Sequence, residues 1–272
     1  MDDKTGAADP LWILTHIPKT AGLTVTRTLT AAFGAERCLV ADGVGDLRAF
    51  RERGRSLDDL AYLGGHVTLP EIHRTLGLER RAYRAVALVR EPVERAVSLF
   101  LFLKRVKNAI PHVSEAIEGR DFAYFFDYLY DTDDLHLHNM QCQYLGGAES
   151  FERARRAVET RYALVGCTEH FPLFFRPLAA AIGPACPSGW EAFASNVAPV
   201  AAAAADVQRG LKPADLADIV RPAVRRRIER TNAADMQLHR HIVETCGGLH
   251  VSAALLRGGA SGPAIAEAGG RR

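Results

Sequence analysis

Leu11–Phe33, LWILTHIPKTAGLTVTRTLTAAF, is the stretch on which the fold turns. Trp12, Ile13, Leu14 and Ile17 make a short apolar run that Pro18 stops, and Val25, Leu29, Ala32 and Phe33 then recur at helical spacing. The pattern reads as a buried strand, a turn at Lys19, Thr20, Ala21 and Gly22, and a helix. A helix N-terminus carries unpaired N–H groups and the positive end of the helix dipole, so a loop entering one suits an anion. Lys19 adds a full charge, Gly22 lets the backbone come close to a ligand, and Thr20 and Thr24 supply hydroxyl donors. The expected ligand is an anion of phosphate type. The loop is not a Walker A sequence, because Lys19 precedes the glycine. Taken alone, the stretch fits an ordinary strand-to-helix turn with one solvated lysine equally well.

The same pattern returns further along. Arg84–Val89, RAVALV, is a near-continuous apolar strand of the kind parallel sheets bury on both faces. Arg90, Glu91 and Pro92 follow, and then a helical pattern over Val93–Lys107. Arg90 therefore stands at the carboxyl end of a strand, where open α/β sheets bind ligands. Ser98 lies two helical turns on. A guanidinium and a hydroxyl together suit a phosphate monoester; standing alone, Arg90 reads more readily as a salt-bridging strand-end residue than as a phosphate ligand. Two such turns on one sheet suggest a ligand with two separated phosphate groups.

Further strands are expected at Arg37–Val40, Leu60–His66 and Tyr162–Gly166, and helices at Asp46–Asp59, Pro70–Gly77, Glu152–Thr160, Phe171–Ile182 and Pro213–Glu244. Val113–Leu145 is aromatic-rich and mostly helical, and its cluster of Phe122, Tyr124, Phe125, Phe126, Tyr128 and Tyr130 reads as core. Gly183–Val207, rich in Pro, Ala, Gly and Ser, reads as a long loop or cover segment. Alternating strands and helices predict an α/β fold, a central mostly parallel sheet flanked by helices. A single domain over residues 1–250, with its core at 11–245, and a mobile tail over 251–272 are expected.

The 272 residues are 48% hydrophobic and 24% charged, enough for one sizeable core. The 34 basic and 32 acidic residues are interspersed and give a net charge of +2, which makes no case for a nucleic-acid partner. Runs such as Arg225, Arg226 and Arg227 read as solvated helix faces. The five cysteines lack C-x-x-C or paired metal-ligand spacing and read as reduced thiols. MDDKTGAADP lacks a basic segment followed by an apolar core, and no run approaches the length of a membrane span, so the expectation is a cytoplasmic protein.

THIPKTAGLT followed by VREPVERAVSLF resembles the nucleotide-binding pair of the sulfotransferases that use 3′-phosphoadenosine 5′-phosphosulfate (PAPS). It is most similar to the branch with a HIPKTAG-type loop, sulfotransferase family 2, which includes the carbohydrate 2-O-sulfotransferases. GGHV at Gly64–Val67, HNMQCQYLGG at His138–Gly147, YALVGCTEHF at Tyr162–Phe171 and TNAADMQLHRHI at Thr231–Ile242 look like later elements of that branch, in the same order. The resemblance implies a P-loop-like nucleotide-binding sulfotransferase fold. In that fold Lys19, Thr20, Ala21, Gly22, Leu23 and Thr24 would hold the 5′-phosphosulfate, and Arg90 and Ser98 the 3′-phosphate. It further implies that Lys19 is catalytic, stabilising the departing nucleotide, and that His66 is the general base. PAPS would be the co-substrate and adenosine 3′,5′-bisphosphate (PAP) the product, with no metal required and a carbohydrate or small-metabolite hydroxyl, or an amine, as acceptor. The chain departs from the pattern at Glu91, usually Asp; at Cys142, often Thr; and at His239, usually Tyr. None of these three is itself an implied phosphate contact.

Among the other histidines, His16 reads as structural, and His136 and His138 either line an acceptor pocket or sit on a helix surface. Glu169 either bonds to the loop or is a helix first-turn acid. Two alternatives stay open beside the sulfotransferase. One is a nucleotide-dependent kinase or NTPase, although no G-K-[ST] or acidic Mg²⁺ ligand at a strand end is visible. The other is a non-catalytic nucleotide-binding protein, against which the joint presence of Lys19, His66, Arg90 and Ser98 argues.

Overall fold

The computed structural model describes residues 9–106, 109–132, 138–187 and 219–257. In chain order they form β1 (Leu11–Thr15), α1 (Gly22–Phe33), β2 (Cys38–Ala41), α2 (Val44–Glu52), β3 (Tyr62–Gly65), α3 (Leu69–Leu76), β4 (Tyr83–Val89) and α4 (Pro92–Arg105). There follow α5 (Pro111–Ala116), α6 (Phe122–Thr132), α7 (Met140–Gly146), α8 (Phe151–Arg161), β5 (Tyr162–Cys167) and α9 (Phe171–Ile182). The last elements are α10 (Pro222–Thr231), α11 (Ala233–Arg240), a π-helical turn over His241–Thr245, β6 (Leu249–Val251) and α12 (Ala253–Leu256). The fold is α/β, with the six strands in one sheet ordered β2-β3-β1-β4-β5-β6. The first five are parallel to their neighbours, and β6 runs antiparallel on the edge of β5.

Strand periodicity divides the core. Leu11 and Ile13 of β1 and Ala85, Ala87 and Val89 of β4 pack on one face, in a cluster that α3, α7, α8 and α11 complete. Trp12, Leu14, Val86 and Leu88 point to the other face, where Val25 and Leu29 of α1 and Phe174, Phe175 and Leu178 of α9 cover them. Burial on both faces is why these strands read as unbroken apolar runs. A third cluster lies off the sheet, where α4 meets α5, α6 and α10 through Val97, Phe100, Leu103, Val113, Phe125 and Ile228.

The aromatic segment is core only in part. Phe122, Phe125 and Phe126 are buried, whereas Tyr124 is exposed and stacks on Tyr128 one turn further on. The helix expected over Asp46–Asp59 ends at Glu52, because Gly54 takes φ 73° and the chain re-enters as a 3₁₀ turn at Leu57–Asp59. The tail expected from residue 251 is corrected: Val251 ends a sheet strand bonded to β5, and Ser252 caps α12 through the Leu255 N–H. Three residues drawing their hydrogen bonds from a strand edge leave no periodic signal. The remainder of that tail and most of Gly183–Val207, as well as the start of the helix expected from Pro213, lie outside the described residues. Among the described residues no helix is long and apolar enough to cross a membrane.

Gly65 ends β3 at φ 129°, where a Cβ would run into the Ala41 carbonyl oxygen. Gly54 also has positive φ but faces open space. Gly65→Ala is expected to cost about 2–4 kcal/mol through strain plus overpacking, and Gly54→Ala only about 1–2 kcal/mol, both measured by urea unfolding. Equal costs would show that the β2–β3 contact does not constrain this position.

Candidate functional site

The sheet order reverses between β1 and β4: the chain builds β2 and β3 on one side of β1, then places β4 on the other. The crevice at the carboxyl ends of such strands is where α/β sheets take ligands. Neighbouring strands lie about 4.8 Å apart. The turns after β3, β1 and β4 are therefore adjacent, and they carry His66, Lys19 with its loop, and Arg90.

The β1–α1 turn is built to leave donors free. Lys19 and Ala21 take φ 69° and 63°, left-handed values that cost non-glycine residues energy and tend to occur at functional sites. No bond within the described residues engages the N–H groups of Lys19, Thr20, Ala21, Gly22 or Leu23, and α1 has no acid in its first turn. Gly22 is required because a Cβ would overlap the His16 ring. The Thr20 hydroxyl is not the free donor expected, since it donates to the Ile17 carbonyl at 2.8 Å and is spent holding the turn. Thr24 is buried with its N–H bonded to Ala21, which leaves its hydroxyl as the group it can offer. The Leu23 side chain is exposed, so only its backbone can serve an anion.

Lys19 reaches across to α4, where its Nζ sits 4.0 Å from the Phe102 ring centroid. Burial, then the charges of Arg105 and Arg90, pull it down to about 8. No carboxylate among the described residues pairs with it. Arg90 lies beyond the end of β4. One Nη is 3.5 Å from Glu94, while its Nε is buried without a hydrogen-bond partner among the described residues. A cationic donor left unsatisfied in a crevice is a place for an anion to complete. Ser98 is half-buried on α4, one turn after Glu94 and one before Phe102, so it lies on the stripe that runs from Arg90 toward Lys19.

Gln141 fixes Arg90 from beneath. Its side-chain amide accepts from the Arg90 N–H at 2.8 Å and donates to the Arg90 carbonyl at 2.9 Å. Gln141 is in turn held by Asp235, whose carboxylate accepts from the N–H groups of Gln141 and Cys142 at 3.0 and 2.8 Å. Asn139 returns the arrangement by accepting from the N–H groups of Ala234 and Asp235 at the start of α11. Two helix N-termini thus cap each other across 90 or so residues of sequence. Asp235 is fully buried near the buried Arg95; burial pushes its carboxyl up, against the opposing pull of Arg95 and the two N–H groups. The signal of these residues in the sequence was the N-x-Q and N-x-x-D spacing, which does not say that one motif caps the other. His136 lies outside the described residues, and the His138 carbonyl accepts from Gln143.

Glu169 is the first-turn acid of the 3₁₀ turn Thr168–His170 and also reaches the β4–α4 turn: it accepts from the Glu91 N–H at 2.9 Å and faces His239 at 3.3 Å. Burial pushes its carboxyl up, but the His239 bond, the Glu91 N–H and its own N–H outweigh that and hold it at about 2. Two of the sequence departures, Glu91 and His239, thus meet through Glu169 at the β4–α4 turn. The Glu91 side chain also caps α4 through the Glu94 N–H at 2.7 Å.

His66 follows Gly65 directly, and its Nδ1 is 2.9 Å from the His16 carbonyl oxygen. A carbonyl can only accept, so Nδ1 carries the proton, and the neutral ring keeps Nε2 as the lone-pair atom. The His16 ring stacks on it at 4.6 Å. Burial, then the proximity of His66 and Lys19, depress His16 to about 3, so it stays neutral and packs against the His66 ring.

The class these features define is an α/β protein whose sheet brings the Lys19, His66 and Arg90 turns together at its switch point. No family model and no curated protein sequence matches the chain.

The Asp235–Gln141 support can be tested apart from any ligand. Asp235→Ala leaves two buried N–H groups without their acceptor and takes a carboxylate away from the neighbourhood of buried Arg95, and is expected to cost about 3–5 kcal/mol. Gln141→Ala frees the Arg90 backbone and should cost about 1–3 kcal/mol. A loss below about 0.5 kcal/mol in urea unfolding for both would remove the network from the account of the site.

Proposed function

We propose that the chain is a PAPS-dependent sulfotransferase, moving a sulfuryl group to a hydroxyl, or an amine, of a carbohydrate or small-metabolite acceptor. The observation that carries this reading is the convergence of two cationic turns on adjacent strand ends, one with free N–H groups and Lys19, the other with the unpartnered Arg90 Nε. That spacing fits the two phosphate groups of a nucleoside bisphosphate, and the residues fit the loops of the family the sequence resembles. PAPS, when bound, supplies the activated sulfuryl group and a phosphate leaving group.

In this reading the N–H groups of Lys19 through Leu23 and the Lys19 ammonium receive the 5′ end. Arg90 and Ser98 receive the 3′-phosphate. Lys19 neutralises the charge that gathers on the departing phosphate oxygen; a preorganised donor of this kind is worth about 3–4 kcal/mol of barrier. His66, held as the Nδ1–H tautomer, takes the acceptor proton on Nε2. Such in-line transfer follows the logic of phosphoryl transfer, in which positioning and charge neutralisation do most of the catalysis.

Thermal unfolding in the presence of PAP, adenosine monophosphate and ATP with Mg²⁺ tests the ligand class. Stabilisation by PAP above the other two is expected; preference for ATP with Mg²⁺ would contradict the proposal and favour a kinase or NTPase. In a transfer assay with labelled PAPS, Lys19→Ala should lower kcat by about 10²–10³-fold and His66→Ala by about 10²–10⁴-fold, with the fold retained. Binding of PAP with no turnover on any acceptor would favour the non-catalytic alternative.

A further inference from the structure

We propose that Phe102 and Arg105, three residues apart on the face of α4 turned toward Lys19, are positioning residues that seat the Lys19 ammonium and make its charge depend on a bound anion. The inference rests on Lys19 being the residue that meets the transferred group's leaving oxygen. Neither residue belongs to the motifs that mark the two turns.

Lys19 has a long side chain on a left-handed backbone, and no carboxylate among the described residues holds it. What it meets is the face of Phe102, at 4.0 Å from the ring centroid. An aromatic face attracts an ammonium without neutralising it, so the ring fixes the position of Nζ and leaves its charge available. A carboxylate in the same place would compete with the incoming anion.

The charges around Lys19 run the other way. Arg105 comes from the C-terminal end of α4 and makes no ion pair among the described residues; Arg90 comes from the β4–α4 turn; His16, at the end of β1, is neutral. Glu94, the carboxylate closest in sequence to this stripe, is engaged with Arg90. Two guanidinium groups and burial therefore oppose the ammonium, and Phe102 favours it. An anion entering the turn would cancel the repulsion and drive proton uptake by Lys19. The sign for binding follows. Below about pH 8 Lys19 is cationic and the anion site is complete, and the site weakens as pH rises through that value.

The test reads Lys19 directly in the full chain, by the ¹³C shift of its ε-carbon against pH, with the signal assigned through Lys19→Arg. The wild-type midpoint is expected near pH 8, well below the ordinary lysine value of about 10.4. Phe102→Leu should move the midpoint down by about half a pH unit and Phe102→Tyr should restore it. Arg105→Gln, at an exposed position with little bearing on folding, should move it up. Saturating PAP should raise it by a pH unit or more in the wild type. An ordinary wild-type midpoint, or one that neither Phe102→Leu nor Arg105→Gln moves, would overturn the inference. Midpoints that respond to both substitutions but not to PAP would uphold the role of Phe102 and Arg105 and count against the nucleotide reading instead.

Discussion

β1 and β4 lie side by side, each buried on both faces, and the charged crevice follows from that adjacency. Apolar packing above and below leaves these strands no freedom to shift, so the turns at their carboxyl ends are fixed to within a strand spacing of each other. One turn opens a helix whose first N–H groups are unpaired, and the other presents an arginine. Neither would be more than an ordinary loop without the other at that distance.

The two turns hold their cationic groups at some expense to the ligand-free chain. Two non-glycine residues in left-handed conformation, a lysine depressed by burial and then by two arginines, and a buried guanidinium nitrogen without a partner among the described residues all raise its energy. The opposing stability comes from elsewhere. Gln141, Asp235 and Asn139 tie α7, α11 and the Arg90 backbone into one hydrogen-bonded unit, while Glu169 holds the Glu91 N–H. Rigid support beneath a frustrated surface is the arrangement expected where a ligand supplies the missing interactions.

The parallel sheet was legible because doubly buried strands are continuous apolar runs, and with it the places of Lys19, His66 and Arg90 in the turns after β1, β3 and β4. Phe171–Ile182 matches α9 end to end, since Pro172 at its start and Gly183 at its end punctuate it. Other features were not legible, for particular reasons. β6 takes its hydrogen bonds from the edge of β5 and has no pattern of its own. Thr20 shows a hydroxyl in the sequence but not that Ile17 consumes it. Gln141 and Asp235 act on Arg90 across long stretches of sequence, a relation that only the packing of α7 against α11 creates. Phe102 and Arg105 sat on an identifiable helical stripe with Glu94 and Ser98, yet nothing in the sequence indicated that Lys19 would reach across to meet it.

That the two turns form one two-phosphate site is tested most directly by the affinities of adenosine 5′-phosphate and adenosine 3′-phosphate for the Lys19→Ala and Arg90→Ala variants. If each turn holds its own phosphate, Lys19→Ala weakens the 5′-phosphate alone and Arg90→Ala the 3′-phosphate alone, each by roughly tenfold or more. Equal losses of both ligands in both variants, or no loss in either, would contradict the two-turn site.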